Sequence, residues 1–565
     1  MSQTMKRAPK ALKLHAIAGA LALLGGSAGA AEIDTGNPDL KIRWDNTIRY
    51  NLGARVEKQD PRILAGSAYD EGDSKFGKGK IVTNRFDLLS EFDLNYAGTF
   101  GTRLTAAGWY DDAYRNRDVT SPAGVATSYF NNQYNSKVKR YINGPSAEFL
   151  DAFAWANFNA GDVPVNIKVG RHALVWGEGV FIGAHAISYS QAPTDGQKAV
   201  SSPGIETKEV VLPLNQISFK AQVTSDLTIA GQYFLEWKET RAPNGGGFLT
   251  GADTAPNVDQ LGFTPTFAAI NQPGLKPKNT GNWGLMGRLN VEAIDSTLGL
   301  YYREFTDYNP ANGLQFLTFA GPLPATFRFI YPKNTKLIGL SLSKGIGPFS
   351  FGSELSYRKN AALNSSGVNN ANDDVARGDT LHAIATASML LPKTAVWETG
   401  SLAFEFAYSR LQKVTTNPQL YKGVGYAACT AVRTPGVAAG TPGNESDACS
   451  SKDFFQVAAS LAPQWLAVAP SWDLSVPISI NYGIKGVAPT SSGGFEKLLS
   501  WSIGANLTYQ AKHEFSLRYA DIVAPSKYGA PNANGVTPLI GGGASGGSLG
   551  ATDRGWLVLT YRTAF

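Results

Sequence analysis

The chain is poor in charge and nearly devoid of sulfur. Asp, Glu, Lys and Arg make up 17% of its 565 residues, below the quarter usual in soluble domains. It has two cysteines, Cys429 and Cys449, and four methionines. The spacing of the cysteines excludes CxxC redox and metal sites and a disulfide scaffold. Beyond residue 31 no run approaches about twenty consecutive apolar residues, which excludes a bundle of membrane helices. Histidine is also scarce. Only His172, His185, His382 and His513 lie beyond residue 30, and no H-E-x-x-H occurs. An outer-membrane hydrolase is therefore the third reading, and no catalytic residue and no cofactor is expected.

What is plentiful is glycine (61) and tyrosine (23), at a mean hydropathy of −0.15. The first thirty residues read as a secretory leader. Lys6, Arg7, Lys10 and Lys13 are its basic region, Leu14 to Leu24 its short apolar region, and Ala28, Gly29 and Ala30 its A-x-A cleavage site. The leader carries four Lys or Arg and no acid, so the rest balances at 47 basic against 45 acidic residues. The apparent basicity belongs mostly to the leader, and no nucleic-acid partner is expected.

From residue 40 onwards the pattern has period two. Leu40, Ile42, Trp44, Ile48, Tyr50, Leu52, Ala54 and Val56 share one face; Lys41, Arg43, Asp45, Thr47, Arg49, Asn51 and Arg55 share the other. Successive side chains of a strand point to opposite faces. A strand this long exceeds the usual five or six residues and suits a tilted crossing of a bilayer. Similar stretches recur in pairs to the C-terminus, about eighteen in all, with sixteen as the alternative. Tight turns alternate with long Gly/Pro/Asn-rich segments, as in outer-membrane barrels with short periplasmic turns and long external loops. The expectation is an all-β, transmembrane antiparallel β-barrel over residues 31–565, in the outer membrane of a Gram-negative bacterium. In hydrocarbon only a closed sheet satisfies every backbone group. Trp44, Trp237, Trp283, Trp501, Tyr50, Tyr96 and Tyr509 fall near strand ends, where girdle residues belong.

The last stretch, Gly555 to Phe565, alternates in the same way and ends on an aromatic ring. Tyr561 and Phe565 are read as a terminal assembly signal, with periplasmic chaperones, the barrel-assembly machinery and outer-membrane lipids as partners. Closure beside the first strand brings Arg562 to the arginines of that strand, so Asp45 or a neighbouring acid is expected between them.

Several stretches resemble the outer-membrane, porin-like family catalogued as domain of unknown function 1302. They include Tyr69 to Phe76 with Asn84 to Glu91, Leu212 to Gln216, Gly352 to Arg358, and Leu474 to Ile478. The most specific is Gly170, Arg171, Trp176, Gly177 and Glu178, in the order Gly-Arg-x-x-x-x-Trp-Gly-Glu. The resemblance implies an outer-membrane barrel suspected of moving hydrophobic compounds. It supplies no catalytic residues.

The segment 177–213 is rich in Val180, Phe181, Ile182, Ala184, Ala186 and Ile187, unlike a polar external loop. It reads either as a loop folded into the lumen or as one packed on the rim, with Arg171 and Glu178 as a structural ion pair. Arg171, His172, Trp176, Glu178, Arg288, Glu354 and Arg358 are the candidate lumen residues. Arg43, Arg49, Arg55, Arg85, Glu91, Asp93, Glu292, Glu405, Arg518 and Arg562 also face inward, in mixed signs that favour cross-strand pairing over ion selectivity. Asp70, Glu71 and Asp73 around Gly72 are a weak Ca²⁺ candidate, and a solvated turn is the favoured reading because an EF-hand loop is lacking. Cys429 and Cys449 flank a small-residue segment and are expected to form a disulfide pinning one loop. The sequence points to passive uptake of a small-molecule substrate, hydrophobic or amphipathic, with a general diffusion porin as the alternative.

Overall fold

A computed structural model describes residues 31–565 apart from 116–117, 370–373, 432–437, 439 and 492. The leader and its cleavage site at 28–30 lie outside the described residues. The long alternating segments form β1 (Leu40–Arg55), β2 (Ile81–Tyr96), β3 (Phe100–Asp111), β4 (Ser146–Ala160), β5 (Val163–His172) and β6 (Leu214–Gln222). There follow β7 (Leu227–Phe234), β8 (Trp283–Val291), β9 (Ser296–Phe305), β10 (Thr335–Ile346), β11 (Phe349–Ala362) and β12 (Arg377–Leu390). The last six are β13 (Thr399–Thr416), β14 (Asp453–Ala469), β15 (Trp472–Ser475 with Ile478–Lys485), β16 (Leu499–Tyr509), β17 (His513–Val523) and β18 (Trp556–Ala564). Pro477 interrupts β15, since proline has no N–H to give a ladder.

Each strand pairs antiparallel with the next, and β18 pairs with both β17 and β1, which closes an 18-strand barrel. The count of eighteen rather than sixteen follows because both strands with blurred alternation, β12 and β14, are full members of the sheet. The closing ladder runs Arg55 opposite Trp556 to Thr47 opposite Ala564. It is finished by Phe565, whose N–H and C=O both bond Asn46 (2.9 and 2.8 Å). Below that point β1 outruns β18, and its bare edge is taken by Ala31–Ile33, in register with Trp44 to Ile42. That short strand covers Ile42 to Trp44, part of an edge that would otherwise be open as a pairing template.

The outward face is an apolar band, from Leu88 and Leu104 through Leu285, Ile338 and Leu355 to Leu559. Aromatic rings border it at both ends. Tyr96 stacks on Phe100, and Trp472, Tyr509, Phe515 and Tyr561 adjoin one another, at the short-turn end. Trp283 lies against Tyr302 and Trp501 against Tyr519 near the other end. Trp237 is not a girdle residue. It lies beyond the end of β7, buried against Tyr308 and Tyr331.

The long connections build a cap. Three of them contribute strands to a five-stranded sheet, in the order Val368–Asn369, Gln315–Ala320, Leu323–Arg328, Phe267–Asn271 and Gln260–Thr264. Phe76, Tyr114, Tyr129, Tyr134 and Phe248 form an aromatic core beneath it. Gly- and Pro-rich composition reads as irregular loop, so this sheet was not evident from sequence.

Candidate functional site

The connection from β5 to β6, residues 173–213, does not stay on the rim. Its first half lies against the inner faces of β9 to β13. There, four buried wall charges hydrogen-bond its backbone rather than its side chains. The Glu405 carboxylate accepts the N–H groups of Val180 (2.5 Å), Phe181 (3.2 Å) and Ile182 (2.5 Å). Glu354 accepts from Glu178, from Gly179 (2.9 Å) and from Ile187 (2.6 Å). Arg358 donates to the carbonyls of Ala184 and Ala186 (2.8 and 2.9 Å), and Arg303 to those of Ile187, Tyr189 and Ser190 (2.8, 2.7 and 2.7 Å). A buried charge is tolerable only when paired and hydrogen-bonded. Here the pairing partner is a peptide chain that has itself left water, so wall and loop satisfy each other.

The second half crosses to the other side of the lumen and is fastened by side chains. Its short helices Gly196–Ser201 and Thr207–Val210 carry Lys198, which pairs with Glu148 of β4 (3.0 Å), and Glu209, which pairs with Arg49 of β1. Ser202 donates to Asp87 of β2 (2.9 Å) and accepts from Arg49 and Asn51 (3.2 Å each). Asp195 pairs with Arg241 (2.7 Å), Lys208 with Glu91 (2.5 Å), and Glu206 with Arg562. The loop therefore spans the barrel from one wall to the opposite one.

The Trp-Gly-Glu element is the pivot. Trp176 is buried against Tyr301, Phe305, Leu337 and Ile187. Gly177 has φ +101°, and a Cβ there would sit on a Glu354 carboxylate oxygen. Glu178 reaches Arg288 at 3.5 Å. Five sequence candidates thus meet here: Trp176, Glu178, Arg288, Glu354 and Arg358. The other two do not join them. Arg171 turns outward to Glu236 (3.8 Å) and the Phe149 carbonyl (3.2 Å), so it forms no pair with Glu178. His172 points inward and bonds Ser218 (2.7 Å) and the Gly170 carbonyl (3.1 Å). Arg303, two residues beyond Tyr301 on the inner face of β9, escaped the sequence reading. Its parity was the available signal.

His185 and His382 form a relay beside the anchor. Their Nδ1 atoms lie 3.0 Å apart, His185 Nε2 faces the Gly493 carbonyl at 2.7 Å, and His382 Nε2 meets Thr380 at 2.8 Å. The carbonyl assigns the His185 proton to Nε2. Thr380 then donates to His382, which donates to His185, with both rings neutral. The Thr380 hydroxyl that meets His382 is fully buried. The glycine-rich stretch 543–550 contains the spacing G-x-S-x-G twice, at Ser545 and Ser548. Among the described residues the Ser545 hydroxyl meets Ser548, at 3.3 Å, and no hydrogen bond joins either serine to a histidine.

Between the loop and the inner faces of β14 to β18 remains a cavity of about 410 Å³. The loop and cap present Phe181, Val200, Phe248 and Leu249 to it, and the wall presents Ser479, Ser500, Ser502 and Arg518. Ala458, Ser479, Ser500 and Ser502, which border it on β14 to β16, are small, so the wall leaves space there that the loop does not fill. Among the described residues no hydrogen bond joins the loop to β15, β16 or β17.

Asp70, Glu71 and Asp73 lie on a short buried helix, Asp70–Lys75, in the cap, not on a solvated turn. Asp73 pairs with Arg55 (2.7 Å) and Arg554 (3.6 Å). Asp70 accepts from Ser121 and Ala123, and Glu71 from Ser128. Among the described residues no group of His, Cys, Asp or Glu is arranged to hold a metal ion. Burial, helped by the Asp70 charge, pushes Glu71 up to about 8. Folded Glu71 keeps a proton that the unfolded chain releases near its ordinary value of about 4.3. The cap therefore loses stability as pH rises from that value to about 8. Proteolysis of the loops is expected to be slower at pH 5 than at pH 8.5, and Glu71→Gln to protect them at pH 8.5. Equal cleavage of both proteins at both pH values would refute this.

Cys429 and Cys449 form a disulfide with Cα atoms 5.5 Å apart, within the connection from β13 to β14.

Comparison with known proteins gives distant structural likenesses. OccAB3 of Acinetobacter baumannii aligns over 93% of this chain and 99% of its own, with 10% identity and a TM-score of 0.40. A BenF-like porin from Pseudomonas fluorescens Pf-5 aligns over 93% and 99%, with 10% identity and a TM-score of 0.39. Pseudomonas aeruginosa OpdK, solved with vanillate, aligns over 93% and 99%, with 9% identity and a TM-score of 0.37. No curated protein matches the sequence. The family model described as protein of unknown function DUF1302 matches residues 11–565. The chain, from its Trp-Gly-Glu pivot to its closing strand, belongs to the DUF1302 family.

Proposed function

We propose that the protein is an outer-membrane channel for passive entry of small amphipathic or hydrophobic molecules. The observation that carries this reading is the loop 173–213, which crosses the lumen and borders a cavity lined on one side by apolar side chains. A lipid-facing apolar band with aromatic borders supports the membrane location. Pockets for small molecules favour the mouths of barrels and are mostly apolar with a few placed polar groups. The cavity near Phe181 and Ser502 fits that description. Solute would enter through the cap, rest against the loop, and leave at the short-turn end. Assembly in the outer membrane would use periplasmic chaperones and the barrel-assembly machinery, with Tyr561 and Phe565 as the signal.

A general diffusion porin is disfavoured by the same loop, which crosses the lumen and is anchored on both walls. The test compares uptake of fatty acids, esters, steroids and terpenes in a deletion strain and its complemented parent. Faster, saturable uptake of at least one class in the complemented strain is expected. Identical uptake of all four would sink the channel reading, and a wide, non-saturating conductance would favour the diffusion porin.

A further inference from the structure

The arginines facing the lumen are almost all spoken for. Arg49 has Glu209, Arg85 has Asp87, Arg288 has Glu178, Arg562 has Glu206 and Glu514, and Arg303 and Arg358 hold loop carbonyls. Arg518 is different. It points from β17 into the cavity, and among the described residues it has no ion-pair partner and its Nε–H donates no hydrogen bond. The register explains why. Its cross-strand neighbours are Gly504 on β16 and Val558 on β18, neither of which offers an acceptor. The next inward residues on its own strand are Ser516 and Ala520. Asp521 also borders the cavity but lies on the opposite parity of the strand, and its carboxylate accepts the Ile522 N–H (2.7 Å). Arg554, the other cation at the cavity, is occupied by Asp73 and by the carbonyls of Gly247, Phe248 and Thr250.

The geometry points to Arg518 as the anion-binding group of the channel, and we infer that the solutes carried are amphipathic carboxylates. A guanidinium presents two parallel N–H groups that match a carboxylate. In the same cavity Ser500 and Ser502 present hydroxyls, and Phe181, Val200, Phe248 and Leu249 offer an apolar surface to a hydrocarbon body. A single cation flanked by hydroxyls also favours release, because no second charge holds the anion. This inference rests on the proposed channel reading and narrows its substrate class.

The full-length protein, reconstituted in planar bilayers, is titrated with three probes of equal chain length: octanoate, octanol and octylammonium. Octanoate is expected to interrupt the single-channel current saturably, at a concentration at least tenfold lower than either of the others. Arg518→Gln should abolish that preference, and Arg518→Lys should retain part of it. Equal potency of the three probes on the wild type, or an octanoate effect unchanged in Arg518→Gln, would overturn the inference while leaving the channel in place. No effect of any probe on the wild-type current would overturn both. The wild-type comparison decides the matter even if a variant folds poorly.

Discussion

Replacing Glu354 and Glu405 together by alanine is expected to raise the single-channel conductance several-fold while the barrel still folds. These two carboxylates accept six backbone N–H groups from residues 178–187. A hydrogen bond to a charged acceptor contributes about 1.5–3 kcal/mol, so the pair holds the first half of the loop far more firmly than its apolar contacts do. Without them six amides would be buried unsatisfied, and each such group costs about 1–3 kcal/mol. Arg303 and Arg358 would remain as two buried cations bonded only to carbonyls. The loop then gains by leaving the wall and exchanging those groups for water. Glu354→Gln with Glu405→Gln keeps acceptor oxygens and should produce a smaller increase. The measurement is conductance in planar bilayers, with heat-modifiable electrophoretic mobility as the control for folding. Wild-type conductance in the double alanine variant would show that the loop is held by something else.

The barrel was legible because its outward faces are plainly apolar and its turns are short. Two strands whose alternation is blurred, β12 and β14, show what obscured the rest. On β12 the outward positions Ala383, Ala385 and Ala387 are small, while inward Ile384 packs against Ala186 and Ala407. The loop creates an apolar interior there, so the usual contrast between the faces disappears. On β14 the inward residues Ala458, Ser460 and Ala462 are small, and Ala458 borders the open cavity. Period-two patterning assumes one lipid face and one wet face, and it weakens where the lumen is plugged or lined with small residues. Within the site, Trp176, Glu178, Arg288, Glu354 and Arg358 could be grouped from the sequence. The backbone of the loop, which is what the wall binds, carries no signal of its own. Arg518 was visible only as one inward arginine among many. What sets it apart is the absence of an acid on its neighbours, a property of register that a single strand cannot display.

Removing both glutamates of the second loop half, Glu206→Ala with Glu209→Ala, is expected to destabilise the barrel at its closing seam. Arg49 of β1 and Arg562 of β18 are directly paired across that seam. Side chains so placed have Cβ atoms about 4.5–5.5 Å apart, and like charges there repel. Sequence parity pointed to Asp45 or a neighbouring acid as the mediator, but Asp45 itself turns to Arg43 at 2.7 Å. The loop supplies the acids instead: Glu209 meets Arg49, both fully buried, and Glu206 meets Arg562. Losing one partner of a buried pair costs about 3–5 kcal/mol. Arg562 is partly exposed and keeps Glu514 at 3.7 Å, so most of the loss falls on Arg49. Unfolding in urea from lipid or detergent should therefore shift to lower denaturant in the double variant. Adding Arg49→Gln should recover part of the loss, because it removes the stranded cation and the repulsion together. An unchanged midpoint, or no recovery on adding Arg49→Gln, would show that the seam does not depend on the loop. Under this account a channel shortened by deleting the loop opens its lumen but weakens its own closure, and a stable open form requires the Arg49 substitution as well.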